Sequence, residues 1–86
     1  MSTLERLQAM LARDFDLDAA ALVPAATLES LEIDSLRMIE ILFTIEEAFG
    51  ITVEAEPAEI RSRVRTLGEL AAFVDEQVAG RAAAPS

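Results

Sequence analysis

Ser35 is the side chain best placed to carry chemistry in this chain, because few other reactive groups exist. The 86 residues include no Cys, His, Trp, Tyr or Lys. Their absence excludes disulfides, thiolate nucleophiles, imidazole bases, Cys/His metal sites and Schiff-base lysines. We therefore expect no catalytic residue and no metal site. Any reactive group must be attached to the protein from outside.

Ser35 stands at the predicted start of a helix. Asp34 is a typical N-cap residue and Gly50 is typical just past a helix end, which predicts a helix from Ser35 to Phe49. A hydroxyl in the first turn can project into water, where a phosphodiester on it would face the positive end of the helix dipole. The alternative is that Asp34 and Ser35 are ordinary capping residues.

This helix carries two apolar stripes when about 100° is assigned to each residue. The first is the predicted core face, formed by Met38, Ile41, Leu42, Ile45 and Phe49. The second lies more than a quarter turn away and consists of Leu36, Ile39 and Phe43, flanked by Glu40, Glu46 and Glu47. It either enters the core beneath the preceding loop or forms a docking surface, with apolar anchors and steering charges.

Three further helices are predicted to position this element. Ser2 and Glu5 fit a capping box, and residues 2–15 carry a stripe of Leu4, Leu7, Leu11 and Phe15. Residues 16–33 are predicted to form a long loop with possible core anchors at Leu17, Leu22, Val23, Leu28 and Leu31. A short third helix is predicted from Pro57 through Arg61. A second capping box, Thr66 with Glu69, precedes a stripe that ends near Gly80 and consists of Leu67, Leu70, Ala71, Val74 and Val78.

The predicted fold class is therefore all-α, a small four-helix bundle with a short third helix and a long loop between the first two helices. Residues 1–79 form the predicted domain, and residues 80–86 a flexible tail, because the tail has nothing large to bury. A core this thin argues against an elaborate enzyme.

The charge of the chain indicates its partners. Sixteen acidic residues against seven arginines give a net charge of −9. Residues 29–59 hold nine of those acids and one arginine. Such a field repels nucleic acid and anionic membranes and attracts basic proteins. With no long apolar stretch and no layout of a signal peptide at its start, we expect a cytoplasmic protein.

The segment around Ser35 also carries a family resemblance. Leu31-Glu32-Ile33-Asp34-Ser35-Leu36, with the helix that ends in Glu46-Glu47-Ala48-Phe49-Gly50, resembles the attachment motif and second helix of acyl carrier proteins of fatty-acid and polyketide synthesis. The likeness extends more loosely over residues 3–79. It implies that a separate phosphopantetheinyl transferase moves 4′-phosphopantetheine from coenzyme A to Ser35. The thiol of that arm would then hold an acyl group as a thioester, and the protein itself would not be an enzyme.

The resemblance also implies partners and a binding region. The partners would be the transferase, a ketosynthase, an acyltransferase and other acyl-processing enzymes with basic patches. They would dock on Asp34, Leu36, Ile39, Glu40, Phe43, Glu46 and Glu47. The acyl chain could withdraw between helices lined by Leu28, Ile41, Leu42, Ile45, Phe49, Ile60, Leu67, Leu70 and Val74, although each of these could equally be ordinary core. We expect the carrier to be a monomer.

Several residues depart from the family pattern. Glu32 stands where the family often has Gly, two residues before Asp34. The segment from Gly50 to Thr66 is longer than in the fatty-acid carriers and contains the basic residues Arg61, Arg63 and Arg65. With Arg37 also reducing the charge of the docking surface, these departures favour a specialised pathway. One alternative is a carrier of aminoacyl or peptidyl groups, whose usual Gly-Gly is replaced here by Glu32-Ile33. The other is an unmodified helical adaptor that binds an amphipathic partner segment.

Overall fold

The computed structural model describes residues 2–83, and the side chains of residues 2–80. It contains four helices: α1 at Thr3–Asp14, α2 at Ser35–Phe49, α3 at Pro57–Arg63 and α4 at Leu67–Ala83. The predicted all-α fold is confirmed, with α2 at its predicted bounds. α3 begins at Pro57 as predicted and runs two residues beyond Arg61.

Two capping boxes fix the starts of α1 and α4. The Ser2 hydroxyl accepts a hydrogen bond from the Glu5 amide at 3.1 Å, and the Glu5 carboxylate accepts one from the Ser2 amide at 3.0 Å. The bond from the Ser2 amide, helped by the Ser2 hydroxyl, lowers the pKa of Glu5. Thr66 and Glu69 repeat the exchange at 3.1 and 3.2 Å. Both predictions are confirmed, because this sequence pattern satisfies otherwise unpaired amides at a helix start.

The end of α4 differs from its prediction. The helix continues through Gly80 to Ala83, three residues beyond the expected end. Glycine inside a helix costs only about 1 kcal/mol relative to alanine, and the alanines around Gly80 favour the helix. The predicted flexible tail therefore begins inside helical residues, and its last part, residues 84–86, lies outside the described residues.

The long loop between α1 and α2 is pinned to the junction of α3 and α4. Three amide-to-carbonyl hydrogen bonds, each of 2.9 Å, run from Leu28 to Arg65, from Leu67 to Ala26 and from Gly68 to Pro24. A side chain at Gly68 would put its Cβ 3.2 Å from the Pro24 carbonyl oxygen, so glycine permits this close approach. A short 3₁₀ turn at Ala19–Ala21 orders the first part of the loop. The loop is thus a fixed layer of the bundle.

One hydrophobic core joins all four helices and the loop. α1 packs along α4, and α2 packs against α3. Of the predicted loop anchors, Leu22, Leu28 and Leu31 are buried and Leu17 is half-buried. Val23 was wrongly predicted as an anchor and is 49% exposed. It starts a turn in which its carbonyl accepts a hydrogen bond from the Ala26 amide, and this turn leaves the side chain in contact with solvent.

The carboxyl end of α2 is held by α1. Gly50 ends the helix with a left-handed φ of 65°, as its position predicts. Arg6 donates to the Ala48 carbonyl at 2.8 Å, and its guanidinium lies 4.0 Å from the centre of the Phe49 ring. Phe49 is half-buried, whereas the other four residues of the predicted core stripe are buried: Met38, Ile41, Leu42 and Ile45.

Candidate functional site

Ser35 lies exposed at the first residue of α2. The helix cap is supplied by its neighbour, because the Asp34 carboxylate accepts a hydrogen bond from the Arg37 amide at 2.8 Å. The Ser35 hydroxyl is therefore not needed to cap the helix. Its place at the positive end of a four-turn helix suits a covalently attached phosphate, whose negative charge the amides of the first turn favour.

The segment before Ser35 holds it at a fixed place on the surface. Ile33 is buried, and its amide donates to the Leu28 carbonyl at 2.9 Å, which closes the turn that precedes α2. Ile33 and the buried Met38 occupy the N′ and N4 positions of a hydrophobic staple. Ile33 was not among the predicted core anchors of the loop. Its position directly before the N-cap residue Asp34 is typical of a hydrophobic staple and could have indicated its burial.

The second apolar stripe of α2 faces solvent. Leu36 is 68% exposed, Ile39 39% and Phe43 62%, and they are three of the four large exposed hydrophobic residues in the described chain. The interpretation that placed this stripe in the core is therefore wrong. Glu40 and Glu47 beside it are exposed as well. The stripe begins at Leu36, one residue after Ser35.

Glu46 differs from the other glutamates of this face. It is half-buried, and its carboxylate accepts a hydrogen bond from the Val53 amide at 2.8 Å. That bond ties the α2–α3 connection to α2, beside an open groove of about 300 Å³ lined by Ile39, Leu42, Phe43, Glu46, Val53, Ala55 and Pro57. The groove extends the apolar surface of the stripe. Asp34 and Glu46 thus each already serve the fold, which leaves Glu40 and Glu47 as the freely presented carboxylates.

The residues predicted to line an acyl cavity lie mostly in the packed core. Eight of the nine are buried, and Phe49 is half-buried: Leu28, Ile41, Leu42, Ile45, Phe49, Ile60, Leu67, Leu70 and Val74. Leu28 and Leu42 each also border a surface cleft. Withdrawal of an acyl chain between these side chains would require them to move apart, and it stays a prediction.

Two classes of feature are absent from the described part of the chain. Residues 2–83 contain no group of three or more His, Cys, Asp or Glu side chains that could hold a metal ion. None of the four helices is long and apolar enough to span a bilayer.

Comparison with known proteins identifies the family of this chain. The family model for the phosphopantetheine attachment site matches residues 5–74. An acyl carrier protein of Streptococcus pneumoniae serotype 4 is 32% identical over 77 residues, which cover 90% of this chain and 97% of that protein. An acyl carrier protein of Helicobacter pylori strain G27 is 30% identical over 77 residues, covering 88% of this chain and 95% of the relative.

The fold is similar to that of a solved protein. The crystal structure of an acyl carrier protein from Thermotoga maritima superimposes with a TM-score of 0.74 at 18% identity, over 91% of this chain and 88% of that one. Together with the family match and the sequence relatives, this agreement covers nearly all of the described bundle. The chain belongs to the acyl carrier protein family.

Proposed function

We propose that Ser35 is the residue that receives 4′-phosphopantetheine, which makes this acyl carrier competent to hold acyl groups. The observation that carries the proposal is the exposed Ser35 hydroxyl at the start of α2, whose capping bond is made by Asp34 instead. The arm supplies a thiol, on which acyl groups are held as thioesters. A carrier of this kind raises the effective concentration of a tethered substrate at successive enzymes and needs no catalytic residue of its own.

The attachment is a phosphoryl transfer to Ser35. Its Oγ forms a bond to the phosphorus that bears pantetheine in coenzyme A, and the pyrophosphate bond of coenzyme A breaks. Adenosine 3′,5′-bisphosphate leaves, and the hydroxyl proton passes to a base on the transferase. This chain contributes the nucleophilic hydroxyl and the first-turn amides of α2, which favour the negative charge of the resulting phosphodiester.

The partners in this proposal grip the exposed stripe of α2. Leu36, Ile39 and Phe43 provide apolar contact, and Glu40 and Glu47 steer basic patches of the transferase, a ketosynthase or an acyltransferase. Asp34 and Glu46 lie at the two ends of this surface. We place the carrier in the cytoplasm as a monomer, where coenzyme A is available as the donor. Arg37 and the cluster of Arg61, Arg63 and Arg65 support a specialised pathway.

Intact-mass measurement tests the attachment. Expression with a broad-specificity phosphopantetheinyl transferase should add about 340 Da, the mass of the arm as a covalent modification. The Ser35→Ala variant should gain nothing and should keep its helical circular dichroism, because Asp34 caps α2. Ser30→Ala, a change of another exposed serine five residues earlier, should be modified like the parent. Mass gain in the Ser35→Ala variant would refute the assignment.

A charge reversal tests the docking surface. Glu40→Lys combined with Glu47→Lys should slow transfer to Ser35 by about tenfold at low salt and flatten its salt dependence, because steering by exposed charges is screened over about 10 Å at 0.1 M salt. The matched control is Asp75→Lys with Glu76→Lys, which changes the net charge equally at exposed positions of α4, the helix that packs along α1. Equal slowing by the two pairs would mean that net charge matters and the α2 surface does not.

A further inference from the structure

A second cleft, apart from the docking surface, lies between the long loop and the carboxyl end of α3. Its volume is about 360 Å³, within the range of small-molecule sites. One wall carries Thr27, Leu28 and Glu29, and the other carries Arg61, Ser62 and Arg65. Two guanidinium groups against one carboxylate give this cleft a positive charge in a chain whose net charge is −9. Such a reversal of sign points to an anionic ligand.

Arg61, on one wall of this cleft, has a hydrogen-bond donor without an acceptor. Its side chain is half-buried, and its Nε is buried without an acceptor among the described residues. Buried N–H donors are nearly always paired, because an unpaired donor has lost its hydrogen bond to water without gaining one in the protein. A planar guanidinium is best matched by a carboxylate or phosphate, which can accept two parallel bonds.

Arg65 is held in place by its backbone on both sides. Its carbonyl accepts from the Leu28 amide at 2.9 Å, and its amide donates to the Glu69 carboxylate at 3.3 Å. Among the described residues, the ion pair that forms joins Arg13 and Asp14. Neither Arg61 nor Arg65 therefore forms an ion pair with Glu29. The two arginines thus flank the cleft with their charges unmatched.

A simpler explanation is that the arginines complement the negative end of the α3 dipole. Arg63 tests that explanation, because it lies in the same last turn as Arg61. Arg63 is exposed and lines a different cleft, together with Glu69 and Glu76. The dipole accounts for a basic residue at the end of α3, but it does not account for a second arginine and a buried free donor around one cavity.

The cleft lies within reach of Ser35. Leu28, on its wall, accepts a hydrogen bond from the Ile33 amide at 2.9 Å. Ser35 follows Ile33 by two residues, at most about 8 Å farther along the chain. An extended phosphopantetheine arm is longer than this path, so a short acyl group on its thiol can return to the cleft.

We propose that the cleft binds the carboxylate end of an acyl group carried on Ser35, so that the cargo class is a short acyl chain with a terminal carboxylate. This inference rests on the proposed attachment at Ser35. Arg61 and Arg65 bind the carboxylate, and Leu28 contacts the methylene groups. The carboxylate of the cargo offsets the net charge of +1 that Arg61, Arg65 and Glu29 together give the cleft.

Two cargoes of equal carbon number test the inference. The carrier is loaded from glutaryl- or pentanoyl-coenzyme A, so that a carboxylate replaces a methyl group at the end of the chain. With glutaryl cargo, the ¹H–¹⁵N resonances of Thr27, Leu28, Ser62 and Arg65 should shift relative to the protein with the unacylated arm. With pentanoyl cargo these four resonances should stay in place. Equal shifts with both cargoes would overturn the proposal.

Variants of the arginines sharpen the test. Arg61→Gln with Arg65→Gln should abolish the glutaryl-specific shifts, whereas Arg63→Gln, the matched control, should leave them unchanged. If the double variant loses helical circular dichroism, Arg65→Gln alone replaces it and should at least halve the shifts. Glutaryl shifts that survive loss of the cleft arginines, or vanish with Arg63→Gln alone, would contradict the assignment.

A chemical attachment separates this inference from the proposed function. The chain has no cysteine, so the Ser35→Cys variant offers a single thiol for alkylation with a pantetheine-like arm that ends in a carboxylate. The same four amides should shift, and an arm that ends in a methyl group should not move them. If the transferase leaves Ser35 unmodified while the alkylated variant shows these shifts, the proposed function fails and the cleft assignment stands. Absence of the shifts in the alkylated variant overturns the cleft assignment alone.

Discussion

Glu32 occupies a backbone conformation that favours glycine. Its φ is 58°, in the left-handed region, as is that of Gly50 at 65°. Each residue follows a helical turn, and in each case the next amide donates back five residues, from Ile33 to Leu28 and from Ile51 to Glu46. The glycine that the family often places at this position therefore has a conformational reason, and this chain instead accepts a strained glutamate.

Glu32→Gly should raise the free energy of unfolding by about 0.5–1 kcal/mol. Removing the left-handed strain stabilises the folded state by about 1–2 kcal/mol. The greater conformational freedom of glycine in the unfolded chain offsets part of this stabilisation. Glu29→Gly is the control, because Glu29 has an ordinary negative φ, and it should lose about 0.5–1 kcal/mol. Urea unfolding measures both, and a loss of stability in both variants would show that Glu32 is unstrained.

Individual residues were predictable where a local rule decides their environment. Ser2, Asp34 and Gly50 lie where capping rules place them. Val23 was wrongly predicted because hydrophobicity alone does not say which side of a turn a side chain takes. Arg61 was recognised as unusual, but its buried Nε depends on how α3 meets the loop, which no local pattern specifies.

At the scale of the element, α2 has one face buried in the core and one face exposed to solvent. Ile41 and Ile45 are completely buried, whereas Leu36 and Phe43 are more than three-fifths exposed. Burial of one face fixes the helix rotation, and that rotation determines which residues remain for partners. Helical spacing predicted both stripes but left open whether the second was core or surface, because the loop beside it could have covered either side.

Phe43→Ala and Ile45→Ala, two positions apart, should have opposite consequences. Ile45→Ala removes a fully buried side chain and should cost about 2–4 kcal/mol, a large part of the stability of so small a domain. Phe43→Ala should change stability by less than about 0.5 kcal/mol and slow transfer to Ser35, because Phe43 is 62% exposed. Thermal melts and transfer kinetics measure the two effects. A large loss of Tm in the Phe43→Ala variant would place this ring in the core after all.

The whole molecule is held together by contacts between residues distant in sequence. The pairing of residues 24–28 with 65–68 joins segments about forty positions apart. Residues 24–28 carry no periodic pattern, and the pattern at residues 65–68 marks only the start of α4. The sequence therefore predicted a loop at residues 16–33 but not the layer that it forms. The four helices and their order were predictable because α1, α2 and α4 are each marked by a cap and an apolar stripe, and α3 is marked by Pro57 at its start. The cleft beside α3 was not predictable, since one wall comes from the long loop and the other from the end of α3 and the residues that follow it.

The pinned loop has a consequence for how the chain is cut. A glutamate-specific protease can reach Glu29, Glu32, Glu54 and Glu56, all exposed outside the helices. Cleavage needs a stretch of backbone to open, and hydrogen bonds on both sides hold residues 24–33 closed, whereas the connection after α2 is held mainly through Glu46. The first cut should therefore fall after Glu54, since Pro57 hinders the bond after Glu56. Mass spectrometry of a short digest should find fragments 1–54 and 55–86, and an earlier cut after Glu29 or Glu32 would mean that the longest loop is also the loosest.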